Sequence, residues 1–167
     1  MKKKFLHSLV AALLFVCLMS FTACSINSPP QGPKSPPEYS LHDKLVLWEI
    51  QTGDSLSYSI DMRMEKRCRY RGTSSYEGLV HVSLYTEIDG VTYTLKAEPV
   101  PINADIRWVT LKKGQKLKIE RDYQAVVWNK EAEEYVPAPA GLYHAKFSFF
   151  EVEHTLENVV LIVPEST

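Results

Sequence analysis

Apolar side chains recur at every second position from Leu56 to Met64, and the same parity resumes at Cys68 and Tyr70. Period-two alternation is typical of a β-strand with one buried face, since successive side chains leave a strand on opposite sides. The pattern therefore predicts a long strand with one solvent-exposed face. It places the thiol of Cys68 on the apolar face, so we expect a buried, inert cysteine rather than a nucleophile or an intermolecular bridge.

Further short apolar runs follow the same period and predict more strands. Asp89-Gly90 separates two of these runs and favours a two-residue hairpin, because both residues tolerate positive φ. Lys113-Gly114 is a second turn signal, and only 130–134 has helix-forming composition. Eight or nine short strands without a convincing helix indicate an all-β fold, either a sandwich or a small barrel, and the antiparallel sandwich is favoured. The other predicted strands are 45–50, 80–84, 91–95, 109–111, 117–119, 125–128, 142–150 and 159–163.

The amino-terminal segment has the parts of an export signal. Lys2, Lys3 and Lys4 precede an apolar run at 9–19, which is too short to span a bilayer, and Ala23 stands before Cys24. With a cysteine at the cut, 1–23 resembles the signal of a bacterial lipoprotein processed by signal peptidase II. An ordinary secretory signal with an incidental cysteine is the alternative.

The lipoprotein resemblance implies that Cys24 carries a diacylglycerol anchor, with palmitate among its acyl chains. The protein would then lie in the cell envelope, on the outer side of the cytoplasmic membrane or in the outer membrane. The chain has 19 basic and 20 acidic residues, and three of the lysines lie in the signal, so the mature charge is about −4. This charge argues against a nucleic-acid partner.

Residues 24–40 differ sharply in composition from the rest of the mature chain. Half of the ten prolines lie between Pro29 and Pro37, which excludes helix and sheet and favours an extended spacer. We therefore expect a lipidated, proline-rich tether at 24–40 and one domain at 41–167. Two PxxP motifs in the tether would suit a proline-recognition module, but an exported location disfavours that reading.

A second resemblance appears near Gly141. Leu111, Gly114 and Leu117, then Trp128, then Pro139-Ala140-Gly141-Leu142-Tyr143 form a pattern that resembles bacterial immunoglobulin-like domains. It is most similar to the intracellular proteinase inhibitor family of bacilli. The resemblance implies an immunoglobulin-like sandwich, with the Tyr143 ring in the core and its hydroxyl on a nearby backbone group, as in a tyrosine corner.

Signatures of catalysis and of cofactor or metal binding are missing from the sequence. There is no G-x-S-x-G, H-E-x-x-H, phosphate-binding glycine loop or paired CxxC. His81 and His144 fall on the polar parity of their strands, which favours surface histidines. Glu131, Glu133 and Glu134 suit a solvated loop better than a calcium site. We therefore expect no enzyme activity, no metal and no cofactor, although a catalytic triad assembled from distant positions is a third hypothesis.

One charge pattern points to a binding surface. Arg63, Arg67, Arg69 and Arg71 share one parity, so a continuous strand would place them in a row on one face. Such a row suits anionic lipid headgroups, an anionic wall polymer or an acidic protein. The alternative is a solvated edge strand whose basic residues prevent aggregation.

Aromatic residues are abundant, with nine tyrosines and three tryptophans. We expect them mainly in the core rather than as an outward platform for carbohydrate or peptide. The sequence as a whole predicts a non-catalytic envelope lipoprotein, held in a membrane by its lipid, whose domain binds an envelope protein or an anionic wall component. A proteinase inhibitor is the alternative, with Val136-Pro137-Ala138-Pro139 as its exposed loop.

Overall fold

A computed structural model describes residues 32–34, 36–42, 47–73, 76–101 and 105–165. The predicted signal and the lipidation site, Cys24, lie outside these residues. No helix within them is long and apolar enough to cross a membrane. The strands of the described residues are β1 Tyr39–His42, β2 Trp48–Gln51, β3 Ser55–Met64, β4 Cys68–Thr73, β5 Val80–Ile88, β6 Val91–Ala97, β7 Ile106–Leu111, β8 Lys116–Asn129, β9 Glu134–Pro137, β10 Gly141–Phe149 and β11 Val152–Val163.

The predicted all-β class is confirmed. Nine strands form one sheet in the order β1-β3-β8-β6-β5-β10-β11-β2, with β9 paired to β8 beside this path, and β4 and β7 form a separate two-stranded sheet. Among the described pairs, all are antiparallel except β2 with β11, which are parallel. The large sheet curls into a half-barrel.

The β6 strand is the point at which the sheet changes direction. Its first residues, 91–94, pair with β5, and its last residues, 95–97, pair with β8, with a register shift between Leu95 and Lys96. Such an irregularity bends a strand and increases its twist. The two halves of the sheet thereby face each other, and the core fills the space between them.

Side chains from one half of the sheet bond to the backbone of the other. The Tyr123 hydroxyl on β8 donates to the Val82 carbonyl on β5 at 2.7 Å. The Arg121 guanidinium is buried and donates to the Val80 carbonyl at 3.1 Å. These bonds satisfy polar groups inside the core, where an unsatisfied donor would be costly.

Alternation in the sequence corresponds closely to burial in β3. The inward positions of β3 are all buried and the positions between them are all exposed. The predicted hairpin is also confirmed, because Asp89 and Gly90, at φ 52° and 77°, form the two-residue connection between β5 and β6. A two-residue turn with positive φ at both positions matches the twist of the strands that it joins.

The two strands predicted at 117–119 and 125–128 need correction. The runs at 117–119 and 125–128 belong to one 14-residue strand, β8. The predicted turn at Lys113-Gly114 is confirmed, with Gly114 at φ 77°, and it leads from β7 in the small sheet to β8 in the large one. Tyr39 and Ser40, predicted to be the last residues of the tether, pair with β3.

The expected tyrosine corner is present at the start of β10. Tyr143 is completely buried, and its hydroxyl donates to the Pro139 carbonyl at 3.0 Å. Gly141 has φ 146°, a conformation that side chains rarely adopt, and a Cβ there would contact nothing within 4 Å. Backbone freedom, not lack of space, therefore requires glycine at this position.

Candidate functional site

The four predicted arginines do not form one continuous row. Strand β3 ends at Met64, so Arg63 belongs to the large sheet. Arg67 lies in the connection between β3 and β4, while Arg69 and Arg71 lie on β4 in the small sheet. All four side chains are exposed. The structure thus brings Arg69 and Arg71 together and places Arg63 on another sheet.

Arg69 and Arg71 belong to a surface that also includes residues distant in sequence. Arg71 pairs with Trp108 across β4 and β7, and paired residues of an antiparallel ladder project to the same side. The Arg69 guanidinium carbon lies 4.9 Å from the centre of the Trp108 ring, and the Lys34 Nζ lies 5.5 Å from it. We call this surface the basic-aromatic face; it comprises Lys34, Arg69, Arg71, Ile106 and Trp108.

The opposite side of β4 packs against the core and supports the basic-aromatic face. Cys68 and Tyr70 alternate with the two arginines and are buried. Gly72 also lies on the inner side, where a Cβ would come within 3.2 Å of the Tyr70 ring. A larger residue at Gly72 would force the ring to move, so the packing beneath β4 is close and holds the arginines outward.

The carboxyl end of the predicted tether is attached to this face. The Lys34 backbone N–H donates to the Arg69 carbonyl at 3.4 Å, at the edge of β4. Farther along, the Glu38 carbonyl accepts from the backbone N–H groups of Glu65 and Lys66, and the Lys66 ammonium pairs with the Glu38 carboxylate. The chain therefore reaches the domain beside Arg69 and Trp108.

A second exposed aromatic cluster lies where β8 pairs with β9. Trp128 and Tyr135 are directly opposite each other, and their ring centroids are 5.1 Å apart in an edge-to-face arrangement. The Lys96 Nζ lies 4.8 Å from the Tyr135 ring centroid and donates to the Gln124 side chain at 3.1 Å. We call Trp128 and Tyr135 the aromatic pair.

The expectation that aromatic residues mainly fill the core is wrong for the tryptophans. Trp48, Trp108 and Trp128 are 44, 41 and 50 % exposed, whereas the large buried rings are tyrosines and phenylalanines. The alternation of buried and exposed residues could have predicted that Trp128 is exposed, since Val127 beside it is buried. Alternation gives no such prediction for Trp108, because the preceding residues Ile106 and Arg107 are both exposed as well.

Burial also raises the pKa values of the Cys68 thiol and the Tyr70 hydroxyl. The Cys68 side chain is buried, as predicted, and loss of hydration raises the pKa of its thiol. Burial, with a smaller contribution from Cys68, raises the pKa of Tyr70 to about 12. Among the described residues, none forms a hydrogen bond with the Tyr70 hydroxyl. Both side chains pack in the core, on the side of β4 opposite to the exposed arginines.

A cleft between β1 and β11 brings a histidine near carboxylates. It has a volume of about 340 Å³ and is lined by Pro37, Glu38, Tyr39, Glu65, Val152 and His154. The Ser40 hydroxyl donates to the Glu65 carboxylate at 2.8 Å. Ser40 is outside the lining and follows Tyr39, whose ring packs against His154. Successive side chains of a strand point to opposite sides, so this cleft does not align Ser40 with His154.

The other polar candidates form no reactive cluster. His81 is exposed as expected, but His144 is half-buried, and its Nδ1 lies 2.8 Å from the Glu157 carboxylate. The turn that carries Glu131 and Glu133 is closed by the Asn129 side chain, which accepts from two backbone N–H groups. Across the described residues, no group of three or more histidine, cysteine or acidic side chains is arranged to hold a metal ion.

The predicted inhibitory loop is part of the sheet. Val136 and Pro137 pair with β8. Ala138 is 4 % exposed, and its backbone N–H donates to the Ala125 carbonyl at 2.9 Å. Pro139 accepts the Tyr143 hydroxyl. The segment is ordered, but it does not project from the domain as the inhibitor hypothesis requires.

Comparison with solved structures finds distant neighbours. No family model matches the chain, and no curated protein matches it. A mutant β-glucosidase from Listeria innocua in complex with laminaribiose is 17 % identical, with a TM-score of 0.47 over 78 % of this chain and 16 % of that chain. A β-D-glucoside glucohydrolase from Trichoderma reesei is 13 % identical, with a TM-score of 0.36 over 78 % of this chain and 19 % of that chain.

The chain thus spans less than a fifth of the length of these glycosidases. Likeness at this level assigns neither an activity nor a substrate to this chain.

Proposed function

We propose that the chain is a non-catalytic lipoprotein of the cell envelope, anchored through a lipid on Cys24, whose domain binds an anionic partner through the basic-aromatic face. The partner is an envelope component, either a protein or a wall polymer or the membrane itself. The domain is proposed to be an immunoglobulin-like sandwich. The facing halves of the curled sheet and the Tyr143 corner support that interpretation.

The observation that carries the proposal is the grouping of cations around an exposed tryptophan. Lys34 and Arg69 lie over the Trp108 ring, and Arg71 is its cross-strand neighbour. Stacking on an indole restricts the rotamers of a guanidinium, so less entropy is lost when it pairs with an anion. Trp108 and Ile106 add apolar area that burial in an interface would stabilise.

The proposed surface includes only two of the four arginines that the sequence predicted to form a row. Arg69 and Arg71 lie on the basic-aromatic face, whereas Arg63 and Arg67 lie outside the small sheet. The latter two therefore provide a comparison with the same loss of charge. The inhibitor alternative now depends on the resemblance alone, because the candidate segment Val136-Pro137-Ala138-Pro139 is bound in the sheet.

The proposal is tested by salt elution of the lipoprotein, extracted in nonionic detergent, from immobilised heparin used as a polyanion. Removing Arg69 and Arg71 with R69S/R71S is expected to lower retention roughly tenfold at fixed salt, because two partly desolvated charge contacts contribute about 1 to 2 kcal/mol. The matched variant R63S/R67S is expected to elute near the native protein. Equal losses in both variants would show that charge alone matters, and unchanged elution of R69S/R71S would remove the face as a binding surface.

A further inference from the structure

We infer that the basic-aromatic face rests on anionic lipid headgroups of the membrane that holds Cys24. The inference rests on the proposed lipid anchor and identifies the partner of the proposed surface. An acidic protein and a wall polymer are the competing partners, and the position of the face at the end of the tether favours the membrane.

Chain length limits how far this face can be from the membrane. Lys34 is ten residues along the chain from Cys24, and an extended chain spans at most about 3.6 Å per residue. Lys34 therefore lies within about 36 Å of the anchor in every conformation. Because the Lys34 N–H bonds to the Arg69 carbonyl at 3.4 Å, the same limit applies closely to Arg69. The basic-aromatic face is thus the part of the domain at which the chain from the membrane arrives.

Because the connection is short, even a weak attraction to anionic lipid is enough to hold the basic-aromatic face at the membrane surface. A linker this short gives an effective concentration on the order of millimolar, so a face that binds free lipid poorly still occupies the surface when tethered. Each basic residue close to an anionic leaflet increases partitioning about fivefold. Lys34, Arg69 and Arg71 are three such residues on one side of a two-stranded sheet.

The apolar members of the face suit the same surface. Tryptophan is enriched at membrane interfaces, where its ring is apolar and its N–H reaches the headgroups. Trp108 is 41 % exposed and Ile106 is 45 % exposed, and they lie two residues apart on one side of β7. At the level of the headgroups, the cations of the face would pair with anionic lipid, and the apolar area of Trp108 and Ile106 would be removed from water.

The test places the native lipoprotein in vesicles of phosphatidylcholine, with or without phosphatidylglycerol, each containing a headgroup-labelled nitroxide lipid that quenches tryptophan fluorescence. A reporter with Trp108 as its only tryptophan is made with W48F/W128F. The matched reporter W48F/W108F keeps only Trp128, which lies in the aromatic pair.

We expect at least twofold stronger quenching of Trp108 in the anionic vesicles than in the neutral ones. This difference should vanish in high salt and when R69S/R71S is added to the reporter, while Trp128 shows no difference. Quenching of Trp108 that is independent of lipid charge, or stronger quenching of Trp128, would overturn the inference. Near-ultraviolet circular dichroism confirms that each reporter is folded.

Lipidation is measured by growing the producing cells with an alkyne-tagged palmitate and detecting the tag on the purified protein, with C24S as the control. If Cys24 takes up no label, the proposed anchor fails. If Cys24 is labelled but Trp108 is insensitive to lipid charge, only the membrane inference fails. Loss of heparin retention in R69S/R71S together with this insensitivity would identify an anionic polymer or an acidic protein as the partner.

Discussion

At the scale of single residues, burial determines the reactivity of Cys68. Its side chain is 3 % exposed, and burial raises the pKa of the thiol, so the reactive thiolate is scarce and shielded. We predict that a thiol reagent leaves Cys68 unmodified in the native lipoprotein and modifies it fully after unfolding in guanidinium. C68A is the control for labelling elsewhere. Rapid modification of the native protein would show that β4 opens readily from the core.

Residue-level prediction succeeded where one side chain and its neighbours determine the geometry. The resemblance to bacterial immunoglobulin-like domains implied the position of Tyr143, and the steric freedom of Asp89 and Gly90 predicted their turn; both are observed. Trp108 was not identified as exposed, because its exposure depends on the pairing of β7 with β4. Local patterns contain no information about that partner.

At the scale of elements, Tyr39 attaches β1 to the opposite half of the curled sheet. Its ring packs edge-to-face on Phe147 and Phe149 of β10, at centroid distances of 5.6 and 5.7 Å. Its hydroxyl donates to the Val152 carbonyl at 3.1 Å. Because β1 is a four-residue strand paired only with β3 among the described strands, we expect much of its stability to come from this one side chain.

Tyr39→Phe removes only the hydrogen bond and is predicted to cost about 1 kcal/mol of unfolding free energy. Tyr39→Ala also removes the ring contacts and is predicted to cost about 3 kcal/mol. Denaturant unfolding gives both values, and hydrogen exchange should show loss of protection in β1 for the alanine variant alone. Equal costs for the two variants would mean that the ring contributes nothing to the attachment of β1.

Element types were predicted better than their partners. Alternation identified β3, β5 and β10, because each buries one face. It could not show that the chain leaves the large sheet at Met64, since the parity continues unchanged at Cys68. Only the pairing of β4 with β7 separates the two arginines of the basic-aromatic face from Arg63. The sequence therefore predicted two of the five residues of the basic-aromatic face, Arg69 and Arg71, and tertiary structure adds Lys34, Ile106 and Trp108.

At the scale of the whole molecule, buried phenols link stability to alkaline pH. Burial raises the pKa of Tyr39, Tyr70 and Tyr143 to about 12, with smaller contributions from Cys68 at Tyr70 and from Tyr93 at Tyr143, and it also raises the pKa of Tyr123. In an unfolded chain a tyrosine ionises near pH 10. The stability contributed by each neutral phenol is therefore fully present below about pH 10 and is lost as the pH rises toward 12.

For the completely buried Tyr70 and Tyr143 the loss at about pH 12 is on the order of 2 kcal/mol each, a large share of the 5 to 15 kcal/mol typical of a domain. We predict cooperative alkaline unfolding between about pH 10 and 12, seen as a step in tyrosinate absorbance that coincides with loss of near-ultraviolet circular dichroism. The Tyr143→Phe variant should reduce the amplitude of the step, whereas Tyr135→Phe, on the outer surface, should leave the unfolding transition in place. Ionisation of all tyrosines near pH 10 with the circular dichroism intact would mean that solvent reaches these hydroxyls without unfolding, and that the two halves of the curled sheet separate far more easily than their packing indicates.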